Sequence, residues 1–331
     1  MSKKIMVVCD ADETYASRLS EYFSEKDDFP FAIWYFYNLK QLQDFEKENE
    51  IEILLTSENI CDQEMKFNQV KWTYFLTKER DKSNLLEKWI YKFQSAENIL
   101  RRILSTYGEE NDLPIQATAT QTKLIGLYTP IGRCLQTSFT LLLGQILAKK
   151  SKVLYLNLEG CSGFKYLLNR DYSYNLSDLM YYITHAKDKF LYRMNGMVET
   201  VNGLDFIPPV RTYMDVTMIE SEQWINLISE FLKISNYDYI LLDLSDQLCG
   251  LFDILRKCSW IYTIEKDDGF AKAKIAQYEE MLSLANYEDI LKKTKRCNLP
   301  IFRNIPYTIE KLPFSELAVF VKQIIEEDFN E

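Results

Sequence analysis

The chain has 331 residues, 47% of them hydrophobic and 27% charged, and carries a formal net charge of −10. This length suits about two domains, each with its own core, and the acidic balance argues against a general affinity for nucleic-acid phosphates or anionic lipid. Seven cysteines without a CxxC pair, and a single histidine, argue against a zinc site and for a reduced, cytoplasmic setting. The apolar run after the two N-terminal lysines is too short for a signal sequence, and no run approaches a membrane span. A soluble chain is therefore expected, reaching a membrane only through partners.

In chain order, Ile5 to Cys9 predicts a short buried strand closed by Asp10 and Asp12, after which Tyr15, Leu19, Tyr22 and Phe23 share one helical face. Phe31 to Tyr37 predicts a second strand, Leu39, Leu42 and Phe45 a helix, and Ile51 to Leu55 a third strand. Trp72 to Leu76 and Trp89 to Phe93 add two more strands, and Ile99, Ile103 and Leu104 mark a closing helix. Strands alternating with helices in this way predict an α/β domain over residues 1–106. The pattern resembles a response-regulator receiver domain of flavodoxin-like order. That resemblance implies a pocket containing Asp10 and Asp12 with Lys92, from YKFQ, as the receiver's lysine. At the phosphoacceptor position the third strand ends in Leu55-Thr56-Ser57. Thr56 cannot form an acyl phosphate, so two-component phosphorylation is not expected, and the simpler reading of Asp10 with Lys92 is an ion pair.

Ser105 to Thr122 loses hydrophobic period and turns small, polar and acidic around one proline, which predicts an interdomain linker, placed at 107–121. The second domain, 122–331, opens on KLIGLYTPIGRCLQTSFTLLLGQILAKKSKVLYLNLE. Leu124 to Tyr128 form an apolar strand stopped by Pro130 and Gly132. Phe139, Leu142, Leu143, Ile146 and Leu147 follow at helical spacing, and Val153 to Leu158 give another buried strand. This is one βαβ unit with a loop at the carboxyl edge of its first strand, where open α/β sheets bind ligands.

PIGRCLQTS, followed by the helix and VLYLNLE, resembles the deviant P-loop of the ParA/MinD family, KGGxGKT[ST] with an aspartate pair closing the next strand. The resemblance implies a P-loop NTPase-like fold with ATP and magnesium as cofactors. Gly132 keeps the first glycine, Arg133 and Leu135 stand at the other two, and Ile131 stands at the signature lysine. Gln136 stands at the phosphate lysine, Thr137 and Ser138 at the hydroxyl pair, and Asn157 and Glu159 at the aspartate pair. A hydrogen bond to a charged group contributes about 1.5–3 kcal/mol, so the two missing lysines imply ATP held weakly or not at all. An amide at Asn157 cannot act as a general base at neutral pH.

Further on, a tyrosine-rich stretch from Gly160 to Phe190 reads as packing or as an interface, and His185 as a solvated helix residue. Leu204 to Pro208 predicts a strand, Trp224, Ile228, Phe231 and Leu232 a helix, and NYDYILLDLSD a buried strand ending at Asp243. In the family this strand reads YDYIIIDTPP, so the resemblance makes Asp243, with Thr137, a candidate magnesium ligand. Trp260 to Ile264 and Leu299 to Ile305 predict two last strands. The final amphipathic helix, with Glu316, Glu326, Glu327 and Asp328 on its polar face, is expected to pack on the sheet rather than on a membrane.

A receiver-like domain without its phosphoacceptor, joined to a degenerate ParA/MinD-like domain, resembles the TadZ/CpaE group, which positions the tight-adherence pilus machinery. This implies a cytoplasmic localisation scaffold, a homodimer whose partners are pilus or secretion proteins, with Ile131 packing against its two-fold copy. An active ATPase cycling between monomer and dimer, and a regulator acting through the receiver-like domain, are the competing expectations.

Overall fold

The computed structural model describes residues 3–25, 29–61, 65, 67–79, 82–83, 88–110, 122–172, 174–185, 187, 190–234 and 236–329. It divides into two compact units, Met1–Gln116 and Ala117–Glu331. Both are α/β and doubly wound, as the alternation of apolar strands and amphipathic helices leads one to expect.

The first unit runs β1 (Lys4–Cys9), α1 (Glu13–Ser24), β2 (Phe31–Phe36), α2 (Leu39–Glu46), β3 (Ile51–Ser57), β4 (Val70–Thr77), β5 (Trp89–Tyr91) and α3 (Ala96–Glu110). Its sheet has the order β2-β1-β3-β4-β5 with every pair parallel, which is the flavodoxin-like order. Strand periodicity sends alternate residues to opposite faces. Met6 and Val8 join the core under α1 and α3, while Val7 and Cys9 join Leu42 of α2 on the other face. Asp12 starts α1 by accepting the Tyr15 amide, and Asn38 starts α2 in the same way. Helix α3 takes in the first residues of the stretch read as a linker; the rest of that stretch, 111–121, lies outside the described residues.

The second unit continues with β6 (Lys123–Leu127), α4 (Gln136–Leu147), β7 (Val153–Asn157), α5 (Phe164–Leu167), α6 (Leu176–His185), α7 (Phe190–Met197), β8 (Glu199–Val201), β9 (Leu204–Ile207), α8 (Tyr213–Thr217), α9 (Ser221–Ile234), β10 (Tyr239–Asp243), α10 (Leu251–Lys257), β11 (Trp260–Glu265), α11 (Gly269–Leu284), β12 (Thr294–Asn298) and α12 (Glu316–Asp328). Strand order is β12-β11-β6-β10-β7-β9-β8, parallel except for the β8–β9 hairpin. Leu124, Leu154, Leu156, Ile240 and Leu242 face α6, α7 and α9. Ile125, Leu127, Tyr155 and Leu241 face α4 and α12. The terminal helix thus packs on the sheet side of the molecule through Leu317, Val321 and Ile324.

Two expectations need correcting. Residues 299–305 are irregular, and the last strand is Thr294–Asn298, TKRCN. As the outermost strand, β12 has one paired edge and buries only Cys297, so it lacks the apolar run that marks its neighbours. Ile131 is also not a free rim residue, since it is 8% exposed and packed with Cys134 and Phe139. Its side chain is committed to its own core.

Gly250 precedes α10 with φ +73°, and a Cβ there would run into the Ser221 side chain at the start of α9. Left-handed backbone costs a residue with a Cβ about 1–2 kcal/mol, and overpacking adds roughly 1–3. Gly250→Ala is therefore expected to destabilise the second unit by about 2–5 kcal/mol, read from the shift of its urea unfolding midpoint.

Candidate functional site

The site is built where β6, β10 and β7 lie side by side and parallel. Register sets Asp243, the last residue of β10, between Leu127 and Asn157. The chain leaves β6 at Tyr128, and the loop through Leu135 brings it to the first turn of α4. Thr129 ties that loop down by donating its hydroxyl to the Ile264 carbonyl at 2.7 Å, and Lys266 donates to the Arg133 carbonyl at 3.0 Å. Arg133 (φ +56°) and Leu135 (φ +69°) both take the left-handed conformation that suits glycine. Gly132 is exposed and does not need to be glycine on steric grounds, since a Cβ there would meet nothing within 4 Å.

Gln136, Asn157, Glu159, Thr137 and Asp243 come together in one hydrogen-bonded cluster. Gln136 Nε2 donates to Asp243 Oδ1 at 2.6 Å and to the Leu244 carbonyl at 2.9 Å. Asp243 Oδ2 accepts from the Tyr155 hydroxyl at 2.9 Å and from Asn157 Nδ2 at 3.2 Å. Thr137 Oγ1 donates to Glu159 Oε2 at 3.4 Å, and the Glu159 amide donates to Asn157 Oδ1 at 3.0 Å. Ser138 is half-buried in the same helical turn, while the Arg133 side chain is exposed. Tyr155 was not singled out in the sequence, although as residue i−2 to Asn157 on a strand it must share the same face. A tyrosine inside an otherwise aliphatic VLYLN was the available signal.

Among the described residues no cation pairs with Asp243, which is fully buried. Burial pushes its carboxyl up to about 7, the neighbouring Glu159 charge pushes in the same direction, and the donors Gln136 and Tyr155 pull against both. Burial also raises Glu159, against hydrogen bonds from Asn157 and Thr137. The Tyr155 hydroxyl, enclosed and facing Asp243, is held far above its ordinary range and acts as a neutral donor. Among the described residues no group of three or more His, Cys, Asp and Glu is placed to hold a metal ion, and no helix is long and apolar enough to cross a membrane.

In the first unit, Lys92 Nζ lies 2.6 Å from Asp10 Oδ2 and 4.2 Å from the Tyr15 ring centroid. The Asp12 amide donates to Asp10 Oδ1 at 2.9 Å, while the Asp12 carboxylate caps α1. Thr56 stands beside Cys9 in register, fully buried, and its hydroxyl has no hydrogen-bond partner among the described residues. The structure thus gathers Asp10, Asp12 and Lys92 at the carboxyl edge and keeps Thr56 inside the sheet.

No protein-family model matches the sequence, and neither does any curated protein. Among solved structures, the chain is similar to a ParA family ATPase from Chlorobium tepidum, at 15% identity over 63% of this chain and 94% of that one, with a TM-score of 0.44. It is also similar to the septum site-determining protein MinD complexed with Mg-ADP from Pyrococcus horikoshii, at 15% identity over 63% and 96%, TM-score 0.46. A third is a putative plasmid partition protein from Borrelia burgdorferi bound to AMPPNP, at 12% identity over 62% and 99%, TM-score 0.42.

Asp243 has a titration signature that can be measured. A carboxyl raised from 3.8 to about 7 in the fold binds its proton more tightly there than in the unfolded chain. Its stabilising contribution is therefore complete below about pH 4 and is lost as pH rises through about 7. Asp243→Asn removes that loss, so the variant is expected to gain stability relative to the parent between pH 5 and pH 8 in urea unfolding.

Proposed function

We propose that this chain is a localisation scaffold resembling the TadZ/CpaE group, whose second unit keeps the frame of a P-loop but binds ATP weakly or not at all. The observation that carries this reading is the Gln136 amide locked onto Asp243. In the resemblance, position 136 belongs to the lysine that neutralises phosphate and Asp243 to the metal site. Here the first brings no charge, and both oxygens of the second already accept protein hydrogen bonds. Glu159 adds a second carboxylate close by. The residues present do not fit a tightly held magnesium nucleotide, because two carboxylates with an uncharged Gln136 between helix and strand oppose polyphosphate.

A second reading, an ATPase cycling between monomer and dimer, has the loop backbone in its favour. The left-handed turns at Arg133 and Leu135 are those that glycines would give, and Thr137 remains at the start of α4. In both readings the first unit serves as a binding surface rather than a phosphoacceptor, in keeping with a buried Thr56 and an Asp10 already paired with Lys92. The proposed partners are a second copy of the chain and proteins of the pilus apparatus, met in the cytoplasm at the membrane to which those partners recruit it.

Titration calorimetry with Mg-ATP is expected to give little or no heat, and phosphate release to stay at background. Gln136→Lys is expected to strengthen binding by about tenfold or more without restoring turnover, since one added ionic hydrogen bond contributes roughly 1.5–3 kcal/mol. Steady phosphate release by the parent chain, abolished in Asp243→Ala, would decide for the ATPase.

Because Ile131 is buried, we propose that the two-fold contact uses exposed residues elsewhere near the site. Tyr213 and Met214 are about half exposed at the start of α8, and Tyr213 packs against Gly160 in the loop after β7. We expect the apo protein to sediment as a dimer at micromolar concentration and Met214→Glu to shift it to monomer. A dimer that forms only when ATP is added would again favour the cycling enzyme.

A further inference from the structure

On the sheet face opposite α4, a cavity of about 550 Å³ opens between α10 and α11. That volume is ordinary for a small-molecule site. Its walls are aromatic: Tyr128 and Tyr278 have ring centroids 5.3 Å apart, Phe252 lies 6.1 Å from Tyr278, and Tyr287 lies 5.5 Å from Phe252. Two carboxylates, Asp246 and Asp253, line the same space with one ammonium, Lys274. Among the described residues Asp253 accepts from two neutral hydroxyls, Ser221 at 3.3 Å and Tyr287 at 2.6 Å. Neither carboxylate makes an ion pair among the described residues, and the Tyr128 hydroxyl is raised by burial first and by the nearby Asp246 charge second. The hydroxyl of Tyr278 is buried without a hydrogen-bond partner among the described residues.

We propose that this cavity binds a guanidinium-bearing ligand. Aromatic faces attract a cation through their quadrupoles, and attraction grows when the cation is taken out of water. A guanidinium is planar, stacks on such faces, and offers donors to carboxylates. The cluster already holds one at its edge, since Arg256 lies 3.9 Å from the Tyr287 ring centroid while pairing with Asp289. The net charge of the lining groups, two carboxylates against one ammonium, favours a cation over an anion. The site is distinct from the Gln136–Asp243 cluster, yet Tyr128 and Pro130 belong to the loop that leads into α4, and Asp246 follows Asp243 by three residues. A ligand here would touch both segments that form the candidate nucleotide site, whether or not that site binds ATP.

The test uses the full chain labelled with ¹³C at its nine methionine methyls, of which Met281 lines the cavity. N-butylguanidinium supplies the guanidinium, and N-butylurea is its uncharged match in shape. N-butylguanidinium is expected to shift the Met281 signal saturably at concentrations up to about 10 mM, a weak-ligand range, while N-butylurea leaves it in place. Asp246→Asn is expected to weaken N-butylguanidinium binding by about tenfold, whereas Lys274→Gln, which removes the opposing charge, is expected to tighten it. An arginine-centred tripeptide that binds more tightly than N-butylguanidinium assigns the group to a peptide side chain, and weaker binding assigns it to a free small molecule. Equal response to N-butylguanidinium and N-butylurea, no saturable shift, or charge variants that both act in the same direction would overturn the proposal. Opposite effects of the two charge variants cannot come from loss of folding.

Discussion

The hydrogen bond from Gln136 to Asp243 governs the candidate site, because it joins the first residue of α4 to the last residue of β10. A carboxylate with no solvent exposure must be paired or fully hydrogen-bonded, and here three neutral donors do that work in place of a cation. The consequence reaches outward. The loop between β6 and α4 must close far enough to deliver the amide, which requires left-handed backbone at Arg133 and Leu135, residues for which this conformation costs about 1–2 kcal/mol each. The anchors at Thr129 and Lys266 hold the loop in that strained path.

The first unit solves the same problem at its own carboxyl edge by a different route. Asp10 is buried as well, and it is balanced by the Lys92 ammonium, with one backbone amide from Asp12 beside it. One unit thus closes its buried carboxyl with uncharged donors and the other with an ammonium, each at the carboxyl edge of a mainly parallel sheet. The amide-bound Asp243 lies in the range where it changes charge near neutrality.

Much of this was legible in the residues. Apolar runs in β3, β6, β7 and β10 are buried on both faces, so they stand out in the sequence, and NYDYILLDLSD gives both the central strand and its terminal carboxylate. What escaped reading lies at edges. β12 shows a polar sequence because an outer strand has little to bury, and the apolar residues of LPIFRNI attracted the assignment one segment late. The hairpin of β8 and β9 carried a signal that went unread: Asn202 and Gly203 both have positive φ, the pattern of a tight two-residue turn. Ile131 was misplaced for a related reason, since spacing locates a residue in a loop but not the direction of its side chain.

The distribution of thiols has a practical consequence for studying the chain. Cys9, Cys134, Cys258 and Cys297 are buried, and burial raises each of them, so they are poor nucleophiles at neutral pH. Cys161 and Cys249 are exposed, one in the loop after β7 and the other in the loop after β10. Those two loops are joined by the Ser245 hydroxyl donating to the Leu158 carbonyl at 3.0 Å. A maleimide dye would therefore label both of these loops in the unmodified protein, giving a built-in fluorescence reporter of movement between them.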